Sequence, residues 1–208
     1  MSNRIQNIVE RINRLQDELE AALSEKAEKF SYSIVNRRIK FQSETLKRQK
    51  QFRQVLWQYI AKARLKNVLT MPVIYSLIVP FVLLDIFVSL YQAICFPAYG
   101  IPKVRRRDYI VIDRHHLAYL NILEKLNCAY CGYGNGLLAY SLEIAARTEA
   151  FWCPVKHANK MGAYHGWYGD FSDFGDAENY HADRKRNIDS VRKGKDVAAD
   201  RPKNVIPD

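Results

Sequence analysis

Acidic residues are in short supply. The 208-residue chain carries 22 Asp and Glu against 32 Lys and Arg, a formal net charge of +10. Such a balance suits a polyanionic partner, either nucleic acid or an anionic membrane surface. Cysteine is scarce as well. Four residues in 208 do not make a secreted disulfide framework, so reducing surroundings are expected. The opening MSNRIQNIVERINRLQDELE is charged throughout and has no apolar centre, so no signal peptide is expected. No set of nucleophile, base and orienting group can be read anywhere. An enzyme acting on a membrane substrate, with Asp85, Asp113, His115 or His116 near the interface, therefore ranks last among the functions considered.

The most informative scarcity is local. Between Lys66 and Lys103 lie 36 residues with a single charge, Asp85. Crossing a bilayer takes about 20 apolar residues. One straight helix of this length would reach about 54 Å, too long for a core of about 30 Å, and two full spans would need more chain. Pro80 removes a backbone donor inside the run, while Pro72 and Pro97 stand where a start and a stop belong. Two membrane geometries fit: a re-entrant hairpin broken at Pro80, or a single kinked span over residues 71–96. A buried soluble core is the third reading. Lysines and arginines flank the run on both sides, which favours both ends being cytoplasmic. Asp85 is costly at mid-membrane, by about 2.5–3.5 kcal/mol. It is expected to meet a partner or a proton, or else to lie at the interface or cap a second half-helix.

The flanks read as follows. Residues 4–23 place Ile5, Ile8, Ile12, Leu15, Leu19 and Ala22 in steps of three and four, either a coiled-coil seam or an ordinary amphipathic helix. Phe30, Tyr32 and Ile34, then Ile39 and Phe41, alternate as a hairpin turning at 35–38. A helix is expected from Ser43 to Lys66. After the run, YIVI reads as a short strand, followed by a helix capped by Asp113. A further helix is expected between the cysteine clusters, with Glu143 and Arg147 as an i,i+4 pair. From residue 183 the chain carries almost no apolar payload and reads as a disordered basic tail.

Three of the four cysteines gather in NCAYCGYGNG and FWCPVKH. Cys128 and Cys131 form C-x2-C, Cys153 and His157 form C-x3-H, and 21 residues separate the pairs. That is the arithmetic of a tetrahedral zinc or iron site. A thiolate hairpin needs an unusual backbone after its second cysteine, and Gly132 stands there. Cys95 is a packed thiol or a reserve ligand. A dithiol pair and inert buried cysteines are the competing readings. An HNH nuclease is excluded by spacing, since only four residues separate His116 from Asn121. Asp170, Asp173, Asp176 and Glu178 do not match the spacing of a calcium loop.

CAYCGY resembles the first metal knuckle of rubredoxins, and WCPVKH is similar to their second. The likeness covers about a dozen residues and departs where Lys156 replaces the last cysteine. It implies Cys128, Cys131 and Cys153 as ligands, with His157 added from reach. The chain also resembles a family of uncharacterised bacterial membrane-associated proteins with the core IPK…DYIVIDRHHLAYLNILEKLNCAYCGYGNG…WCP.

These readings combine into a mainly α fold in four segments. Residues 1–66 are a helical arm with a small hairpin, and 67–102 the membrane segment. Residues 103–182 are a small metal-stapled helical domain, and 183–208 the tail. The function expected is a membrane-anchored adaptor binding one zinc or iron, zinc favoured, and docking a protein partner through the N-terminal helix or Asp85. Membrane lipids are the second partner, and the positive charge is assigned to their headgroups rather than to nucleic acid. An iron-containing electron carrier is the alternative.

Overall fold

A computed structural model describes residues 32–35, 38–41, 43–55 and 65–194, together with scattered positions between 11 and 25. Those scattered positions are helical, and Leu15 and Leu19 among them are exposed. The rest of the expected arm lies outside the described residues. Strands β1 (Tyr32–Val35) and β2 (Arg38–Phe41) pair antiparallel, Tyr32 opposite Phe41 and Val35 opposite Arg38.

Helix α1 (Ser43–Gln51) is shorter than the sequence pattern suggested. It buries no residue, and Lys47, Arg48 and Lys50 crowd its last turns with like charge. Residues 53–55 are not helical, and 56–64 lie outside the described residues.

Helices α2 (Leu65–Ser76) and α3 (Ile78–Tyr99) meet at Leu77, which keeps right-handed helical angles of φ −64° and ψ −13°. Pro80 has no N–H for the carbonyl of Ser76, and its ring crowds that carbonyl. The backbone answers locally: Leu77 N–H bonds Ile74 O at 3.3 Å, and Phe81 N–H bonds Leu77 O at 3.1 Å. The chain therefore runs on as one helix and does not double back at Pro80. It is 35 residues of apolar helix, Leu65–Tyr99, long and apolar enough to cross a membrane. Gly100 ends it at φ 71°, its N–H on Pro97 O and that of Ile101 on Phe96 O, a left-handed stop that favours glycine.

Helix α4 (Ile122–Trp152) is 31 residues long. Its cap is Asn121, not Asp113: the Asn121 side chain accepts from Glu124 N–H, and the Glu124 carboxylate accepts from Asn121 N–H. The contacts of α2 and α3 with α4 climb together. Tyr130 reaches Ile74 O at 2.6 Å, Tyr133 reaches Asp85, Gln92 bonds Tyr140, and Tyr99 stacks on Phe151 at 5.2 Å. Helices α3 and α4 are parallel, so residues 101–121 must carry the chain back along their whole length.

This return strap is pinned by side chains. Gln92 accepts from Val104 N–H at 2.8 Å and donates to Val104 O, Arg147 donates to Pro102 O at 2.9 Å, and Gln49 of α1 accepts from Ala118 N–H at 3.2 Å. YIVI, expected as a strand, is part of this strap and forms no ladder.

The strap explains the glycines of NCAYCGYGNG. A Cβ on Gly136 would lie 2.7 Å from Tyr109 O and 2.8 Å from Ile110 Cα. On Gly134 it would lie 2.8 Å from the Phe81 ring, and on Gly132 3.1 Å from Val111 O. Each glycine weakens the helix by about 1 kcal/mol relative to alanine, and here they admit the strap backbone and α3.

The core gathers along the C-terminal halves of α3 and α4, around Phe96, Leu137, Tyr140, Ile144, Trp167 and Phe171, with Ile101 and Val104 of the strap among its buried residues. Helix α5 (Tyr180–Lys193) closes it with Val191 and Asn187 buried. The tail expected from residue 183 is thus helical as far as Lys193. One buried valine and one amide that bonds Asp170 O at 3.0 Å hold it down despite its polar composition.

Candidate functional site

The four expected ligands do not converge. Cys128 and Cys131 lie in the early turns of α4, Cys153 is its C-terminal cap, and His157 lies beyond. From Cys128 to Cys153 is 25 residues of helix, or about 37 Å at 1.5 Å per residue. Zinc–sulfur bonds of about 2.3 Å require sulfurs within a few ångströms of one another. One ion cannot reach both ends of α4. The knuckle backbone is also missing: glycines with positive φ are Gly100, Gly175 and Gly194 among the described residues, and Gly132 is ordinary helix. His157 stacks on Tyr168 and gives its N–H to the Tyr168 hydroxyl at 2.7 Å. Cys95, the reserve ligand, is half-buried on α3. All four cysteines are free thiols, and no group of three His, Cys, Asp or Glu among the described residues could hold a metal.

Asp85, by contrast, organises a site. Its carboxylate accepts two bonds from Arg106 of the strap, one from the Tyr133 hydroxyl at 2.9 Å and one from Ser89 at 3.3 Å. The carboxylate's partner is within the chain. Arg106 and Tyr133 were not singled out by sequence reasoning. A signal was present: Asp85, Ser89 and Gln92, at i, i+4 and i+7, mark one polar stripe on an otherwise apolar helix. Such a stripe must face protein.

A second polar cluster lies under the core. Arg147 pairs with Glu143 at 2.8 Å, with both side chains less than a tenth exposed. Trp167 Nε1–H also reaches Glu143, at 3.3 Å. His165 Nε2 meets Glu149 at 3.0 Å between the rings of Tyr168 and Phe171. The remaining candidates are spent locally. His115 and His116 sit on an exposed 3-10 turn (Arg114–His116), their rings 4.0 Å apart. Asp173 pairs with Lys156 at 2.7 Å. The side-chain amide of Asn179, and then its backbone N–H, hold the Asp176 carboxyl below the usual range.

No protein-family model, curated protein or solved structure matches this chain.

Proposed function

We propose that the chain is a monotopic membrane adaptor. Leu65–Tyr99 would hold it at the cytoplasmic face of a bacterial inner membrane, both ends on the same side, with the module formed by α4, α5 and the loops between them presented to a protein partner. The observation that carries this reading is the two-sidedness of α3, which from Phe81 to Tyr99 has one covered and one bare side, whereas residues 65–70 are exposed all round. Every exposed side chain from Asn67 to Tyr99 is uncharged, Val73, Leu83, Phe87 and Ile94 among them. The covered side carries the strap and its Arg105, Arg106, Arg107 and Asp108.

Depth favours lying over standing. Asp85 is 14 residues from Tyr99, so an upright helix would sink the Asp85–Arg106 pair and the irregular strap about 21 Å below the surface. Irregular backbone is tolerated there only when enclosed by protein. A helix lying in the plane meets lipid with its bare face and keeps its strap at the level of the headgroups. Lys66 and Lys103 then stand on one side of the membrane. The partner surface is assigned to the exposed Leu15 and Leu19 of the N-terminal helix and to Tyr164 and Phe174. Neither a zinc staple nor an iron carrier is retained, because both need the four donors on one ion. An enzyme is not supported either. Asp85 spends its carboxylate on Arg106, Tyr133 and Ser89, and none of these partners is a histidine.

The test is sidedness. In a chain with its four cysteines replaced by serine, Lys66→Cys and Lys103→Cys are probed separately with an impermeant maleimide on sealed vesicles. Reaction of both from the cytoplasmic side is expected. Reaction from opposite sides would mean a span and overturn the in-plane reading.

A further inference from the structure

We infer that the end of the apolar helix carries a binding site for the phosphate of an anionic phospholipid headgroup. The inference rests on the membrane reading above and adds a specific ligand to it.

Two residues beyond Gly100 a cavity of about 110 Å³ opens between the strap, α4 and the end of α5. Its walls are Pro102, Lys103, Arg105, Asp108, Arg147 and Gly194, with Val104 and Tyr109 completing them. Three cationic side chains and one carboxylate therefore line a space the size of a phosphate group. Arg147 is buried and fixed by Glu143 and Pro102 O. Arg105 is tied to Asp108 at 2.9 Å yet remains 61% exposed. Lys103 is exposed at the mouth. Arg192 stands at the same level, its Nε–H on Tyr99 O at 3.0 Å and its guanidinium over the Phe151 ring at 5.5 Å.

Two further features select a lipid over a soluble phosphate ester. The cavity begins where an uncharged helix face ends, so a headgroup held there leaves its acyl chains beside that face. Tyr99 and Trp152 meet edge to face at 5.4 Å at the same end, and Trp152 is 48% exposed. Tyrosine and tryptophan favour the headgroup level of a bilayer.

The full chain is tested by flotation with vesicles of phosphatidylcholine alone and of phosphatidylcholine with phosphatidylglycerol. Lys103→Gln with Arg105→Gln is compared with Lys185→Gln with Arg186→Gln, the same charge change on the outer face of α5. Wild type is expected to prefer the anionic vesicles. The cavity pair should lower that preference about thirtyfold, at about 1 kcal/mol per cation, while binding to neutral vesicles persists. The α5 pair should retain the preference. Equal loss in both pairs, or no loss in the cavity pair, overturns the site. Competition by free glycerol phosphate at matched phosphate concentration overturns its assignment to lipid. Failure of wild type to float with either vesicle removes the membrane reading itself, so the two failures are distinct.

Discussion

Asp85 and Arg106 join the apolar helix to its return strap through two bonds, Nη2 to Oδ2 at 2.6 Å and Nε to Oδ1 at 3.2 Å. A fork-on-carboxylate contact fixes direction as well as distance. It lies in the first third of a strap that no ladder holds. Val104 of the strap is buried in the core and Tyr109 and Ile110 pack against it, so the bonds to Asp85 hold the exposed turn between them rather than the whole strap.

Asp85→Asn is expected to raise trypsin cleavage after Arg105 and Arg107 while leaving the core intact. Arg106 is half exposed, so solvent screens the pair and the coupling in a double-mutant cycle with Arg106→Gln should be about 1 kcal/mol. The check is limited proteolysis beside thermal unfolding in detergent. Cleavage of Asp85→Asn at the wild-type rate would show that the strap is held elsewhere.

The glycines predict a ranking. Alanine at an internal helical glycine ordinarily gains about 1 kcal/mol. At Gly136 the new Cβ would strike the strap backbone at 2.7 Å and 2.8 Å, and backbone cannot rotate away. Gly136→Ala should therefore destabilise by about 1–3 kcal/mol net. Gly134→Ala meets the ring of Phe81, which can shift, and Gly132→Ala meets one carbonyl at 3.1 Å. Both should cost less than Gly136→Ala. Chemical unfolding in detergent reads the order, and a stabilising Gly136→Ala would refute the close approach.

Those glycines also show where sequence reading stops. The apolar run was plain because 36 residues with one charge need no spatial information to be noticed. The polar stripe of Asp85, Ser89 and Gln92 was equally present, but its partner on the strap depends on α3 and α4 being parallel. No local pattern encodes that direction. The cysteine arithmetic misled for a related reason. A spacing of 21 residues closes a metal site only if the spacer folds back. Here it is helix, and helix holds its ends apart. Glycine after Cys131 fits both a knuckle needing positive φ and a helix needing room for a neighbour. The structure takes the second.

The separation of the thiols gives a direct expectation. Treatment with a strong chelator should leave the unfolding temperature unchanged, and Cys128→Ser should match wild type within about 0.5 kcal/mol, as expected for a half-buried side chain holding no metal. Metal analysis of purified protein is the check. One tightly held zinc or iron per chain, lost in both Cys128→Ser and Cys153→Ser, would require ligands from two chains or a different fold of α4.

Glu143 makes the most demanding prediction. It accepts from Arg147 at 2.8 Å and from Trp167 at 3.3 Å, and Arg147 in turn holds the carbonyl of Pro102 at the root of the strap. Both charges are nearly sealed, at 7% and 5% exposure. Glu143→Ala strands a buried guanidinium and should cost about 3–5 kcal/mol. Replacing both, Glu143→Leu with Arg147→Met, removes the stranded charge and should recover much of that loss. It cannot recover all, because Trp167 Nε1–H and Pro102 O each lose a partner, worth about 1–3 kcal/mol apiece where buried. The double variant should thus fall between wild type and Glu143→Ala in unfolding midpoint. A double variant no better than Glu143→Ala would mean that the bonds to Trp167 and Pro102, rather than the charge pair, hold the module to the end of the apolar helix.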